Sequence, residues 1–133
     1  MFLSIDPHNG LAIYEQIVRQ VKFAVASEAL RPGELVPSVR ELARELAINP
    51  NTVARAYRQL QDEAVLQAVR GTGLEVAVNA RSQCRNDRRD LVRVRLRNVL
   101  HEAMTSGLEA DEVRKLVEKE LQTLERELKR EAV

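Results

Sequence analysis

The sequence predicts a mainly helical chain with one small β-hairpin, arranged as two small units. Three observations carry this. Apolar residues recur at helical spacing through five separate stretches. A single pair of short β-prone segments flanks Arg70-Gly71-Thr72-Gly73. Aromatics are limited to Phe2, Tyr14, Phe23 and Tyr57, so the core must be Leu, Val, Ile and Ala, the usual material of helix-on-helix packing.

The first helix is expected over Leu11 to Ala29. Ile13, Ile17, Val21 and Val25 recur every four residues, and Tyr14, Val18 and Phe23 broaden the stripe. Pro32 and Gly33 are expected to end it. The second helix begins with Ser38-Val39-Arg40-Glu41, a capping box in which Ser38 accepts from the Glu41 N–H. Val39, Leu42, Ala43 and Leu46 form its buried face, and it ends near Ala47. Asn49 then offers an N-cap and Pro50 occupies the first helical position, where a missing N–H costs nothing. The third helix runs to about Glu63 with Val53, Ala56, Tyr57 and Leu60 inward. Two short helices joined by so few residues make a helix-turn-helix. Val65 to Val69 and Leu74 to Val78 form the hairpin, which in this position is a wing.

Asn79 to Asn86 reads as polar and irregular, the expected joint between a winged helix-turn-helix at 1–79 and a two-helix tail at 80–133. Asp87 is expected to cap a fourth helix from Arg88 to about Ser106, with Val92, Leu96, Val99, Leu100 and Ala103 on one side. After Gly107 a fifth helix runs from about Ala110 to Lys129. Val113, Val117, Leu121, Leu124 and Leu128 follow one another close to a coiled-coil spacing.

Bulk properties exclude several classes. The 133 residues are 44% hydrophobic and 31% charged, which sets the chain apart from disordered ones. Cys84 is the single cysteine and cannot form an internal disulfide, in keeping with a reducing cytoplasm. No apolar run approaches the roughly 20 residues that span a membrane, and residues 1–10 show no signal peptide, so the expected location is the cytosol. His8, Cys84 and His101 have no metal-ligand spacing, and no cofactor site or nucleophile–base pair stands out, so an enzyme is not expected. The net charge of +1 does not announce nucleic-acid binding. Charge is uneven, however: residues 81–97 hold seven arginines against Asp87 and Asp90, a local surplus of +5.

Several segments together resemble one family. They are Ile13-Tyr14-Glu15-Gln16-Ile17, Pro32-Gly33-Glu34, Pro37-Ser38-Val39-Arg40-Glu41-Leu42-Ala43, Asn49-Pro50-Asn51-Thr52-Val53 and Arg55-Ala56-Tyr57. These are similar to the GntR-type winged-helix regulators, by motif over roughly residues 5 to 78. The short helical tail is similar to the YtrA subfamily, by length and helix count only. The resemblance implies a DNA-binding repressor, usually a homodimer on a palindromic operator, often beside genes for ABC transporters. Three positions depart from the family's pattern. Leu74 and Glu75 stand where it usually has a hydroxyl residue and then an aromatic one, and Ala64 stands where it often has glycine. A glutamate facing phosphate is repelled, so Glu75 is expected to point away from a duplex.

The candidate DNA-binding residues carry alternatives of different weight. Asn51, Thr52 and Arg55 open the recognition helix, the end that enters the major groove in helix-turn-helix proteins. Asn and Arg offer donors to base edges, and Thr meets a phosphate or a thymine methyl. Local capping also accounts for Asn51 and Thr52, but not for Arg55. Arg58, one turn on, either reaches the backbone or is an ordinary surface arginine. The resemblance gives Arg40 a DNA contact, against pairing with Glu41 or Glu45. Ser38 is explained by capping alone, with a phosphate bond compatible. Arg70, Gly71, Thr72 and Gly73 form the wing tip, where glycine permits a tight turn and close approach; an ordinary hairpin turn is the plain alternative. Tyr57 is expected in packing rather than at a base. The arginines of 81–97 are a solvated face or a set of added phosphate contacts.

Two functions are thus open. One is a regulator on double-stranded operator DNA, dimeric through Val92, Leu96, Val99, Leu100, Val113, Val117, Leu121, Leu124 and Leu128. The other is a winged-helix protein-interaction module, which should expose an apolar patch on the third helix. The tail is expected to be too small to enclose a ligand pocket of the usual ~300 Å³ or more, and no residue points to an effector.

Overall fold

The computed structural model describes residues 3–132. The elements follow the order α1 (Ile13–Ala26), α2 (Val39–Leu46), α3 (Pro50–Asp62), β1 (Leu66–Val69), β2 (Gly73–Val76), α4 (Ala80–Thr105) and α5 (Ala110–Glu131). The fold is mainly helical with a two-stranded antiparallel wing. The chain forms two compact units, the first ending at Asp90 and the second starting at Leu91. No helix among the described residues is long and apolar enough to cross a membrane.

In the first unit, α1, α2, α3, the wing and the start of α4 share one core. Ile17, Val21 and Val25 meet Leu42 of α2, Val53, Ala56 and Leu60 of α3, and Val65, Leu66 and Val76 around the wing. Ile13 lies outside it, 37% exposed. The caps form as the sequence requires. Ser38 Oγ accepts from the Glu41 N–H at 3.1 Å, and Asn49 Oδ1 accepts from the Asn51 N–H at 2.8 Å. Between them, Ala47 takes the left-handed conformation (φ 54°) and turns the chain sharply into α3.

The wing register pairs Leu66 with Val76, Gln67 with Glu75, Ala68 with Leu74 and Val69 with Gly73. Gly73 therefore belongs to β2, and the turn is Arg70 to Thr72, shorter than expected. Residues 33–36 add a third line of pairing to β2. The Gly33 N–H donates to Val76 O at 2.8 Å, and the Val36 N–H to Leu74 O at 2.9 Å.

Two expectations need correction. The first helix stops at Ala26, well short of Pro32. Glu28 turns left-handed (φ 67°), and the Leu30 N–H reaches back to Ala24 O at 3.1 Å, which buries Leu30. Burial of that leucine, rather than the proline, ends the helix. The second correction concerns residues 79–86. They form no irregular linker, because α4 already starts at Ala80 and Asp87 lies inside it rather than capping it. Ala80 and Cys84, one turn apart, are both buried in the core of the first unit. A helix that covers apolar surface is satisfied by two small side chains, however polar the rest of the segment.

The N-terminal arm is fixed by two glutamines one turn apart on α1. Gln16 is buried; it accepts from the Asp6 N–H and donates to Asp6 O, at 2.9 and 2.8 Å. Gln20 repeats this with the backbone of Ser4. Each side chain mimics a strand edge, so the arm's polar groups are satisfied while Leu3 is buried.

Among the described residues of the second unit only Val113 is buried. Val92, Leu96, Val99, Leu121, Leu124 and Leu128 are each about half exposed or more. The tail carries room that is open rather than enclosed. An open apolar groove of about 520 Å³ is lined by Leu100, Met104, Ala110, Val113 and Val117, with Arg114 and Glu118. The expectation counted only an enclosed cavity, whereas a groove needs walls on two helices alone.

Candidate nucleic-acid interface

The inward side of α3 is fully committed. Val53, Ala56, Tyr57 and Leu60 are buried, and Tyr57 Oη donates to Pro37 O at 2.7 Å. The phenol is a packing residue, as the sequence suggested. Burial, joined by the charges of Glu41 and Glu45, pushes its pKa well above the ordinary range. Among the residues that α3 leaves outside are Asn51, Arg55 and Arg58, all exposed, with Thr52 half-buried. The Asn51 and Thr52 N–H groups are both satisfied by Asn49, so the outward side chains are not needed for capping.

On α2, Ser38 and Arg40 are exposed. The wing tip is exposed as well, at Arg70, Gly71, Thr72 and Gly73. Gly71 (φ 78°) and Gly73 (φ 135°) both adopt conformations that side chains disfavour. Ser38, Thr72 and Gly73 meet in one groove of about 600 Å³, floored by Val36, Tyr57 and Leu74. The start of α2 and the wing are therefore neighbours. Leu35, 50% exposed, also lines this groove. Glu75 accepts a 2.7 Å hydrogen bond from Gln67 directly across the hairpin.

Sequence reading missed two features of this region. Tyr14 belongs to the apolar stripe of α1, half-buried and packed against the core, and its ring also carries Arg55, whose Cζ lies 3.7 Å from the ring centroid. Lys22, only 6% exposed along its side chain, bridges Glu63 at 2.8 Å and Asp87 at 3.2 Å. Burial by itself would lower the Lys22 pKa. The hydrogen bonds to the two carboxylates, and their charges, overcome it and hold the pKa above its ordinary value.

This bridge also bears on the arginines of 81–97. Glu63 follows the last turn of α3, and α4 is tied there through Asp87 and through Gln83 Nε2, 3.4 Å from Glu63 O. Asn51 opens the opposite end of this helix of about 20 Å, and Arg55 lies near its middle, about 12 Å along the axis from Glu63. Arg81 pairs with Glu28 at 2.9 Å. The first turns of α4 therefore favour the solvated-face reading of their arginines.

The family model of bacterial regulatory proteins, gntR family, matches residues 13–76, from the first residue of α1 to the last of β2. The HTH-type transcriptional repressor YtrA of Bacillus subtilis is 33% identical over 111 residues, covering 84% of this chain and 85% of that one. Among solved structures, a GntR family transcriptional regulator from Listeria monocytogenes is similar with a TM-score of 0.67 and 28% identity, over 86% of this chain and 98% of that one. YtrA from Sulfolobus acidocaldarius, a GntR-family transcription factor, is similar with a TM-score of 0.56 and 32% identity, over 76% and 99%. With these relationships running through the wing and into the tail, the chain belongs to the GntR family of bacterial regulatory proteins, DNA-binding transcription regulators and not enzymes.

Proposed function

We propose that this regulator is a homodimeric repressor that reads a palindromic operator in the cytoplasm. The outward face of α3 carries the reading: it presents Asn51, Arg55 and Arg58, and none of the large exposed apolar residues lies on it. A protein-docking helix needs such an apolar patch, so the observation favours DNA over the interaction-module alternative. Asn51, Thr52 and Arg55 read base edges in the major groove. Ser38, Arg40, Arg58, Arg70 and the wing tip at Gly71, Thr72 and Gly73 set position on phosphates.

The tail is the dimerisation unit. Val92, Leu96, Val99, Leu121, Leu124 and Leu128 are uncovered in a single chain, and a second copy is the simplest cover. Leu100, Val113 and Val117 extend that surface inward along the groove. Two-fold symmetry then places two recognition helices about 34 Å apart on one side of the duplex. Bound there, the dimer blocks polymerase. The likeness to the Bacillus repressor supports this sense of regulation, and a transporter operon is the first target to examine.

The test is fluorescence-polarisation binding to DNA upstream of the protein's own gene, with unlabelled random DNA as competitor. Tight binding that survives competition supports the reading. Absence of binding at low salt overturns it in favour of the interaction module. Sedimentation checks the dimer: a stable monomer at micromolar concentration overturns that part alone.

A further inference from the structure

Arg55 extends from the second turn of α3 and Tyr14 from the first turn of α1. The guanidinium carbon stands 3.7 Å from the centre of the ring, at stacking distance. Tyr14 is itself half-buried and packed against the core, and its hydroxyl donates to Glu15 at 3.3 Å. The ring is therefore a fixed platform, while Arg55 remains exposed and forms no salt bridge among the described residues.

A guanidinium is planar, and its five N–H donors lie along its edge. Stacking covers a face and leaves the edge free. The contact thus removes much of the freedom of a long side chain while keeping every donor available. A forked edge held in one plane matches the paired acceptors O6 and N7 that guanine shows in the major groove. We propose that Tyr14 is a positioning residue for base reading. Its ring holds Arg55 in the plane from which the guanidinium takes a guanine of the half-site. This deepens the proposed DNA reading and rests on it. The competing arrangement, in which stacking keeps Arg55 away from DNA, predicts the opposite sign on removal of the ring.

The probe is a duplex enriched by the wild-type protein from a random-sequence pool, used beside a duplex of random sequence. Binding is measured for wild type, Tyr14→Phe, Tyr14→Leu, Arg55→Ala and the double variant Tyr14→Leu/Arg55→Ala. Tyr14→Phe keeps the ring and should bind within about twofold of wild type. Tyr14→Leu should weaken the enriched duplex about fivefold, the scale of an exposed cation–π contact, and leave random DNA unchanged. In the Arg55→Ala background the same change should have no effect. Replacing the enriched guanines one at a time should find one whose loss abolishes the effects of both single variants. The proposal is overturned if Tyr14→Leu binds as well as wild type or tighter. It is also overturned if the loss persists without Arg55, or extends equally to random DNA, since either marks general damage to the fold. If Arg55→Ala itself weakens both duplexes equally, or no duplex is enriched, base reading by Arg55 fails first and the positioning role falls with it.

Discussion

Replacing Lys22 with methionine tests what joins the recognition helix to α4. The substitution keeps the stem and removes the ammonium, leaving Glu63 and Asp87 without their shared counter-charge. Glu63 stands just past the last turn of α3, where the helix dipole already disfavours an anion, so Lys22 offsets that cost too. Removing one partner of a fully buried pair costs about 3–5 kcal/mol. Here the two carboxylates are 33% and 29% exposed, and water takes up part of the loss. The expected cost is about 2 kcal/mol, or about 8 °C in the melting temperature of a chain this size. Urea denaturation at fixed protein concentration measures it. The triple variant Lys22→Met, Glu63→Leu, Asp87→Leu should recover to within about 1 kcal/mol of wild type, since a buried ionic cluster gives little over apolar packing of similar volume. A single Lys22→Met variant as stable as wild type, or a triple variant no better than the single, refutes the reasoning.

Three further outcomes follow from the same structure. Ala64 holds a left-handed conformation (φ 60°) where glycine is favoured, so Ala64→Gly should raise stability by about 0.5–1 kcal/mol in a denaturant melt; a loss of stability sinks the strain argument. Tyr57→Phe removes the hydroxyl bonded to Pro37 O and should cost about 1 kcal/mol, with no cost meaning that the bond contributes nothing. Alkaline pH should destabilise the fold. Burial, with the charges of Asp87 and Glu63 and against that of Lys22, pushes the Cys84 thiol from 9.0 to about 11, and Tyr57 and Lys22 are also raised. Each group holds its proton more tightly when folded, so its contribution is intact below the ordinary pKa and is lost as pH climbs through the raised one. Stability should be level from neutral to about pH 9 and then fall, by roughly 3 kcal/mol from Cys84 alone; Cys84→Ala should reduce that slope, and an unchanged slope removes the thiol as its cause.

The parts of this fold legible in the sequence are those settled by neighbours along the chain. The Ser38 box, the Asn49-Pro50 start and the inward face of α3 are local, and the structure has them in place. The site residues on α2, α3 and the wing were legible as outward-facing for the same reason. What the sequence hid depends on partners far away. Residues 79–86 look like a linker because Arg81, Ser82, Gln83, Arg85 and Asn86 dilute the signal. Only Ala80 and Cys84 touch the core, and two small residues do not make a periodic pattern. The turn at Glu28 carries no glycine to announce it; the burial of Leu30 decides it.

Charge and aromatic contacts were hidden more deeply still. Nothing along the chain joins Lys22 to Glu63, and Asp87 reads as a helix cap, until the fold brings both carboxylates within 3.2 Å of one ammonium. Tyr14 reads as part of the apolar stripe and Arg55 as a candidate for base reading, and their contact emerges only where α1 and α3 cross. The same crossing explains why α1 matters to an interface it does not obviously share. Its Lys22 ties the end of α3 to α4, and its Tyr14 takes the arginine near the start of α3. Thus α1 meets the proposed reading helix at Arg55, in its second turn, and at Glu63, just past its end, so a substitution at Tyr14 or Lys22 alters how that helix is held.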